Sequence, residues 1–275
     1  MPEGDTVLQA ARRLHAALAG RVLIRAELRV PRLATADLRG RAVREVVPRG
    51  KHLLARIEGG LTLHSHLRMD GAWRVHAAGE RPRGGPAHQI RAILGNAEAT
   101  AVGYRLPVLD LLRTEREARV VGHLGPDLLG PDWDPAEALA RLLADPARPV
   151  GTALLDQRNL AGVGNVFMAE LCFLARVTPW LPVGEVADPA ALIAEAKRLL
   201  EANRDRLDRT TTAPGLDRRQ RLHVYGRAGR PCPACGTPVR VAGETHGERG
   251  RERPVYWCPS CQRGPARSGG TTPGK

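Results

Sequence analysis

Apolar residues recur at helical spacing over residues 6–18, where Val7, Leu8, Ala11, Leu14 and Leu18 share a face, and Gly20 ends that predicted helix. From residue 21 to about 113 the period shortens. Brief alternating runs occupy 21–30, 42–48, 52–57, 61–67, 72–77, 89–95 and 99–104. Turn residues part them, among them Glu58-Gly59-Gly60, Arg83-Gly84-Gly85-Pro86 and Gly95-Asn96. Many short strands this closely spaced predict a β-sandwich or barrel. A charged stretch with two Gly-Pro-Asp turns follows, and the pattern then turns helical. Asp134-Pro135 and Asp188-Pro189 each pair an N-cap with a first-turn proline. They predict helices to about Ala144 and to about Arg209, with further helices over roughly 149–157 and 164–175.

These patterns give an α+β, multi-domain chain. A β-sandwich domain with its helix is expected over 1–115, a linker over 116–133 and a helical domain over 134–222. A small cysteine-bearing domain is expected over 223–267, with a disordered tail over 268–275. A hydrophobic fraction of 43% supplies real cores, and only 3% aromatics means that Leu, Val and Ala fill them. Net charge is +13, more than solubility requires, which points to a polyanionic partner. Of the 42 basic residues, 39 are arginine; lysine stands only at 51, 197 and 275, so Lys51 marks a position where an ammonium is wanted. No apolar run reaches membrane-spanning length and no signal peptide opens the chain. The expectation is a cytoplasmic monomer with no membrane partner.

The sharpest chemical motif is Cys232-Pro-Ala-Cys235 with Cys258-Pro-Ser-Cys261. Two such knuckles read as one structural, tetrahedral zinc site, because four thiolates leave no open position for chemistry. Cys172, alone in an apolar helix, reads as a core residue. Arg240, Arg249, Arg251 and Arg253 lie between the knuckles and suit a nucleic-acid backbone. In Leu160-Ala-Gly162-Val-Gly164-Asn165, the glycines turn the chain into a helix start where Asn165 can hold a phosphate. In Arg49-Gly50-Lys51, Lys51 can hold a phosphate or move a proton. In His64-Ser-His66-Leu-Arg-Met69-Asp-Gly71 the two histidines share a strand face, and Met69 can wedge into a base stack. The first residues are Met1-Pro2-Glu3. Removal of Met1 leaves a proline amine, unprotonated in good part near neutral pH and able to attack a sugar carbon as an amine nucleophile. Glu3 beside it can move the protons that glycosidic cleavage requires.

Together these stretches resemble the formamidopyrimidine-DNA glycosylase / endonuclease VIII family of base-excision repair enzymes. The match runs in order through Pro2-Glu3, Arg49-Gly50-Lys51, His66 to Gly71, Leu124-Gly-Pro-Asp127, Leu155-Asp-Gln157, Gly162 to Asn165, His223-Val-Tyr225-Gly-Arg227 and the cysteine knuckles. The resemblance implies an N-terminal β-sandwich with a helix, a helix–two-turn–helix domain and a C-terminal zinc finger. It further implies that damaged double-stranded DNA lies between the two halves, with the lesion flipped out. On this pattern Pro2 forms a Schiff base at C1′ and Glu3 is the acid/base. Lys51 assists β-elimination, and Arg253 grips phosphate and serves δ-elimination. His66, Asn165 and Tyr225 contact DNA, and Met69 fills the vacated stack. Arg253-Pro-Val-Tyr-Trp-Cys258 is closer to endonuclease VIII, so oxidised pyrimidines are the expected substrates. The alternatives are an oxidised-purine glycosylase and a catalytically silent DNA-binding paralogue. Several positions depart from relatives: Gly151 stands where the purine branch carries lysine, and the segment 210–222 is short where that branch carries a longer loop. Thr6 stands where many carry a second glutamate, His123 where some carry arginine, and Gly103-Tyr104-Arg105-Leu106 where the purine branch carries an Arg-Arg-Phe-Gly wedge.

Overall fold

In a computed structural model of the chain, which describes residues 1–212, 221–245 and 252–266, the residues divide into two compact units, Met1–Leu124 and Gly125–Lys275. The predicted tail over 268–275, Arg249, Arg251 and most of the 210–222 segment lie outside the described residues.

The first unit opens with helix α1 (Gly4–Leu18), whose Val7, Ala10, Ala11, Leu14 and Leu18 are buried on one face, as the spacing predicts. Eight strands follow: β1 (Arg25–Leu28), β2 (Val43–Arg49), β3 (His52–Ile57), β4 (Leu61–His66), β5 (Ala72–Ala77), β6 (Ile90–Gly95), β7 (Ala99–Tyr104) and β8 (Val108–Arg113). They form two antiparallel four-stranded sheets, ordered β2-β3-β4-β8 and β1-β6-β7-β5. Leu53, Ala55, Ile57 and Leu63 face inward and share one core with α1 and with Trp73, Ala92 and Leu94 of the other sheet. The sandwich is therefore the predicted one with an eighth strand added. The run Val108-Leu-Asp-Leu-Leu-Arg113 alternates poorly because Asp110 stands on its polar face. Where a linker was expected, the chain makes a 3-10 turn (Thr114–Arg116) and a one-turn helix α2 (Ala118–Val121).

The second unit contains α3 (Pro135–Leu143), α4 (Val150–Leu155), α5 (Asn165–Leu174), α6 (Pro189–Asn203) and the hairpin β9 (Arg240–Thr245) to β10 (Glu252–Trp257). Asp134 and Asp188 cap α3 and α6 with their side chains. Helix α6 stops at Asn203, short of the expected Arg209. There the Asn203 amide donates to the carbonyls of Leu199 and Thr210 and accepts from the Thr210 N–H, all at 2.8 Å, which turns the chain out of the helix. Helix α5 is apolar on all sides and fully enclosed by α3, α4, α6 and the hairpin, as a core helix should be. Cys172 sits in that core, and burial pushes its thiol up to about 12.

Candidate functional site

In the first unit, Glu3 is the N-cap of α1 and is fully buried, with Pro2 directly before it. The helix runs antiparallel to β2: Ala19 bridges Val43, and the Val46 N–H donates to His15 Nδ1 at 3.2 Å. From His15 back to Glu3 the helix rises about 18 Å. From Val46 on to Lys51 the strand advances about 16 Å. These similar lengths direct the beginning of α1 toward the β2–β3 end of the sheet. Gly50, at φ +55°, makes that turn and puts Lys51 at its exit. Pro2, the buried Glu3 and Lys51, from two distant stretches of sequence, thus lie toward the same end of the sandwich. Thr6 does not present a carboxylate here; its N–H and hydroxyl donate to Asp5 at 2.7 and 3.2 Å.

His66 ends β4 at the same rim, in register with His52. Its Nδ1 accepts the Arg68 N–H at 2.9 Å. Burial, then the positive charges of Arg68 and Lys51, push its pKa down to about 3. Lys51 is thus near enough to His66 for its charge to oppose protonation of that ring. His52 is pushed down to about 2 by burial, with His66, His64, His123 and Arg68 adding to the effect. Both histidines take up protons near 6.5 when unfolded and far lower when folded, so the unfolded chain binds more protons between those limits. Stability present above about pH 6.5 is expected to fall in acid, by up to about 1.4 kcal/mol per pH unit for each histidine. Urea unfolding at pH 7.5, 6.5 and 5.5 checks this; a flat profile would mean that these imidazoles charge freely in the folded protein.

Met69 lies in the turn after β4 and is 53% exposed. The turn is closed by the Gly71 N–H to the Leu67 carbonyl at 2.8 Å, with Arg68 at φ +50°. Arg105, in the β7–β8 turn at φ +47°, reaches across and donates to the Asp70 carbonyl at 3.1 Å. An exposed apolar tip and an exposed guanidinium therefore stand on adjoining turns, a pairing that residues 36 positions apart gave no sign of. Tyr104 beside Arg105 is buried at 1% exposure.

In the second unit, Gly162 at φ +115° turns the chain into α5. Asn165, its first residue, is fully buried, and its Nδ2 donates to the Pro254 carbonyl at 2.7 Å. This bond joins the start of α5 to β10 one residue from Arg253. Asn165 and Pro254, 89 positions apart in sequence, are thereby joined. Tyr225 packs on Tyr256 of the same strand, with ring centroids 5.0 Å apart.

What organises this region is a residue that sequence reasoning missed. Glu170 on α5 is fully buried, and its carboxylate accepts the backbone N–H groups of His223, Val224 and Tyr225 at 2.8–2.9 Å. The Thr211 hydroxyl also donates to it, and His223 Nδ1 lies 3.1 Å away. Burial alone would raise its pKa, but His223, Thr211 and the backbone donors together hold it low. The signal was available: a single acid inside the apolar run Asn-Val-Phe-Met-Ala-Glu-Leu-Cys-Phe-Leu has to find donors. Glu170→Ala is expected to lower stability by about 3–5 kcal/mol, because it strands several buried donors. Chemical denaturation measures this, and a loss below about 1 kcal/mol would contradict it.

The four Sγ atoms of Cys232, Cys235, Cys258 and Cys261 lie within 4.8 Å of one another, the only such group of potential metal ligands among the described residues. Cys232–Cys261 and Cys235–Cys258 are 3.8 and 3.5 Å apart. A tetrahedral ion with bonds of ~2.3 Å needs S···S edges of roughly 3.8 Å, so the donor set fits zinc. Hydrogen bonding from Thr237 draws the Cys235 thiol down to about 6, whereas burial pushes Cys258 and Cys261 up. A cation bound among these sulfurs would favour their thiolate forms. No helix among the described residues is long and apolar enough to cross a membrane.

Comparison with known proteins matches residues 1–105 to the formamidopyrimidine-DNA glycosylase N-terminal domain and residues 124–210 to the formamidopyrimidine-DNA glycosylase H2TH domain. The chain is 70% identical to a probable endonuclease 8 2 of Streptomyces coelicolor, covering 99% of this chain and 98% of that protein. It is 49% identical to a DNA-(apurinic or apyrimidinic site) lyase of Mycolicibacterium smegmatis, over 95% of this chain and 99% of that protein. A solved complex of Lactococcus lactis Fpg with DNA containing an abasic site shares the fold, with a TM-score of 0.77 at 23% identity, covering 96% of this chain and all of that one.

Proposed function

The chain belongs to the formamidopyrimidine-DNA glycosylase / endonuclease VIII family, and from that membership we propose that it is a bifunctional DNA glycosylase and AP lyase of base-excision repair. The observation that carries this reading is the alignment of α1 with β2. It directs Pro2 and Glu3 toward the Lys51 end of the sheet, which supports an amine nucleophile, a proton-transfer carboxylate and an ammonium acting together.

In this reaction Met1 is removed and the Pro2 nitrogen attacks C1′ of the damaged nucleotide. The C1′–N bond to Pro2 forms as the bond to the base breaks. Glu3 manages the protons of base departure and sugar-ring opening, which leaves a Schiff base. Loss of a C2′ proton then expels the 3′ phosphate, with Lys51 on that phosphate. A second elimination expels the 5′ phosphate, gripped by Arg253. His66, Asn165 and Tyr225 hold the DNA, and Met69 occupies the space the flipped nucleotide leaves. For Asn165 the role is shared, since one N–H of its amide is held by Pro254. A single zinc ion on the four cysteines supplies structure rather than chemistry, fixing the β9–β10 hairpin that carries Arg253.

The substrates are oxidised bases, with pyrimidines favoured over purines. Supporting this, the aromatic at the position of the purine-branch wedge, Tyr104, is in the core, where it cannot enter a base stack.

Borohydride trapping tests the chemistry, because it reduces the Schiff base to a stable crosslink. The substrates are duplexes carrying an abasic site, thymine glycol, dihydrouracil or 8-oxoguanine. Crosslinking through Pro2 is expected, with the pyrimidine lesions processed ahead of 8-oxoguanine. Pro2→Gly is expected to weaken excision severely, since it replaces the secondary amine. Near-normal excision by that variant would undo the assignment of Pro2 as nucleophile, whereas no crosslink on any duplex, with DNA binding intact and Met1 shown to be absent, would favour a silent DNA-binding scaffold.

A further inference from the structure

Behind His66, the outer face of the β2-β3-β4-β8 sheet carries a ladder of imidazoles to which the reaction above gives no role. His52 on β3 and His64 on β4 stack, with ring centroids 5.1 Å apart and planes 17° from parallel. His52 Nδ1 lies 2.8 Å from His64 Nε2. Behind them, His64 Nδ1 faces Asp110 Oδ2 of β8 at 3.7 Å, and Arg32 pairs with the same carboxylate group at 2.8 Å. In front, His52 meets His66 edge to face, with centroids 4.8 Å apart and planes at 87°. His123, after α2, closes the other side of His52 at 6.3 Å.

We propose that His52 is a positioning residue for His66, holding that imidazole against the Lys51 rim as a neutral phosphate donor, with His64 and Asp110 fixing His52 from behind. The proposal rests on the reading of His66 as a DNA contact. The hydrogen bonds give each ring a sense. His66 Nδ1 accepts the Arg68 N–H, so the proton of the neutral ring is on Nε2, and an N–H donor is what a phosphate oxygen takes. Asp110 favours a proton on His64 Nδ1, which leaves Nε2 to accept from His52 Nδ1–H. A ring bonded at one edge to His64 cannot rotate, so it presents a fixed surface to His66.

The charged groups around His52 also oppose ionisation of the front rings. Arg49 is its partner on β2, Lys51 precedes it, and Arg68 follows His66, while Asp110 and Glu117 act on His64 at the far end. The ladder therefore separates a rear imidazole beside carboxylates from front imidazoles among cations. A neutral His66 keeps an N–H without adding a buried charge that the site would have to desolvate.

The test uses the full zinc-loaded chain. Side-chain 15N NMR reads the tautomer and titration of His66, and fluorescence anisotropy reads affinity for a duplex with an uncleavable tetrahydrofuran abasic analogue. In the wild type, His66 is expected as the Nε2–H tautomer. His52→Ala is expected to raise the His66 titration by at least one pH unit and to weaken binding about tenfold. His52→Phe, which keeps a ring against His66, is expected to restore binding to within about threefold. An unmoved His66 titration in His52→Ala overturns the proposal. Should the alanine variant lack a cooperative unfolding transition, the phenylalanine variant decides: retained His66 behaviour supports the packing role, and a His66 that titrates normally overturns it. Wild-type protein with the expected tautomer but no preference for the abasic duplex would instead sink the glycosylase/lyase reading.

Discussion

Glu3→Gln is expected to lower base excision by about 10²–10⁴-fold, the range over which a positioned proton-transfer group acts. The substitution keeps size and shape at a fully buried position. It also leaves the backbone role of Glu3 intact, since the main-chain carbonyl accepts the Val7 N–H at 3.0 Å and no side-chain cap to α1 is made. Loss of activity with unchanged thermal unfolding and near-normal affinity for an abasic duplex therefore reads proton transfer. The measurement is single-turnover excision of dihydrouracil. A fall of less than about tenfold would move the acid/base role to another residue. Cleavage of a preformed abasic site is expected to suffer less, because the base has already left and only the sugar chemistry remains.

Metal removal is expected to have a comparably large effect through a different route. Structural zinc binding carries about 10–16 kcal/mol of apparent free energy in small finger domains. The knuckles that would depend on it pack on a small apolar cluster of Ala169, Phe173, Val224, Val239 and two of the cysteines. Stripping the ion with a thiol-reactive mercurial and a chelator should release one zinc per chain and lower DNA affinity by at least tenfold. Restoring thiols and zinc should recover it. Full DNA binding by metal-free protein would show that the hairpin folds and Arg253 is placed without the ion.

Much of this was legible in the chain. The α1 face, seven of the eight sandwich strands, the capped helices α3 and α6 and the four-cysteine group all follow from periods of 3.6 and 2 or from ligand spacing. Strand β8 was not, because a strand with one polar outward residue and mixed burial on both sides has no clean alternation. The end of α6 was not, because it is set by a tertiary-like amide clamp at Asn203 rather than by a glycine or proline. The apolar run around Glu170 signalled its burial but not its partners, the three backbone donors it meets some fifty residues later. At the candidate site, sequence singled out residues for a proposal and left their neighbours open. That Arg105 adjoins the Met69 turn, and that Asn165 reaches the residue after Arg253, are facts of pairing that no local pattern encodes.

The placement of Pro2 one residue ahead of the α1 N-cap bears on how the protein comes of age in a cell. A nucleophile mounted on a rigid helix start has no slack, and any residue joined to its nitrogen turns a secondary amine into an inert amide. Each newly synthesised copy would be a binder of lesions before it is a cutter, until an aminopeptidase removes Met1. Activity would then track trimming as well as synthesis. Recombinant copies would need their affinity tags at the far end of the chain, since an amino-terminal tag would yield folded, zinc-loaded protein that occupies damage and protects it from repair.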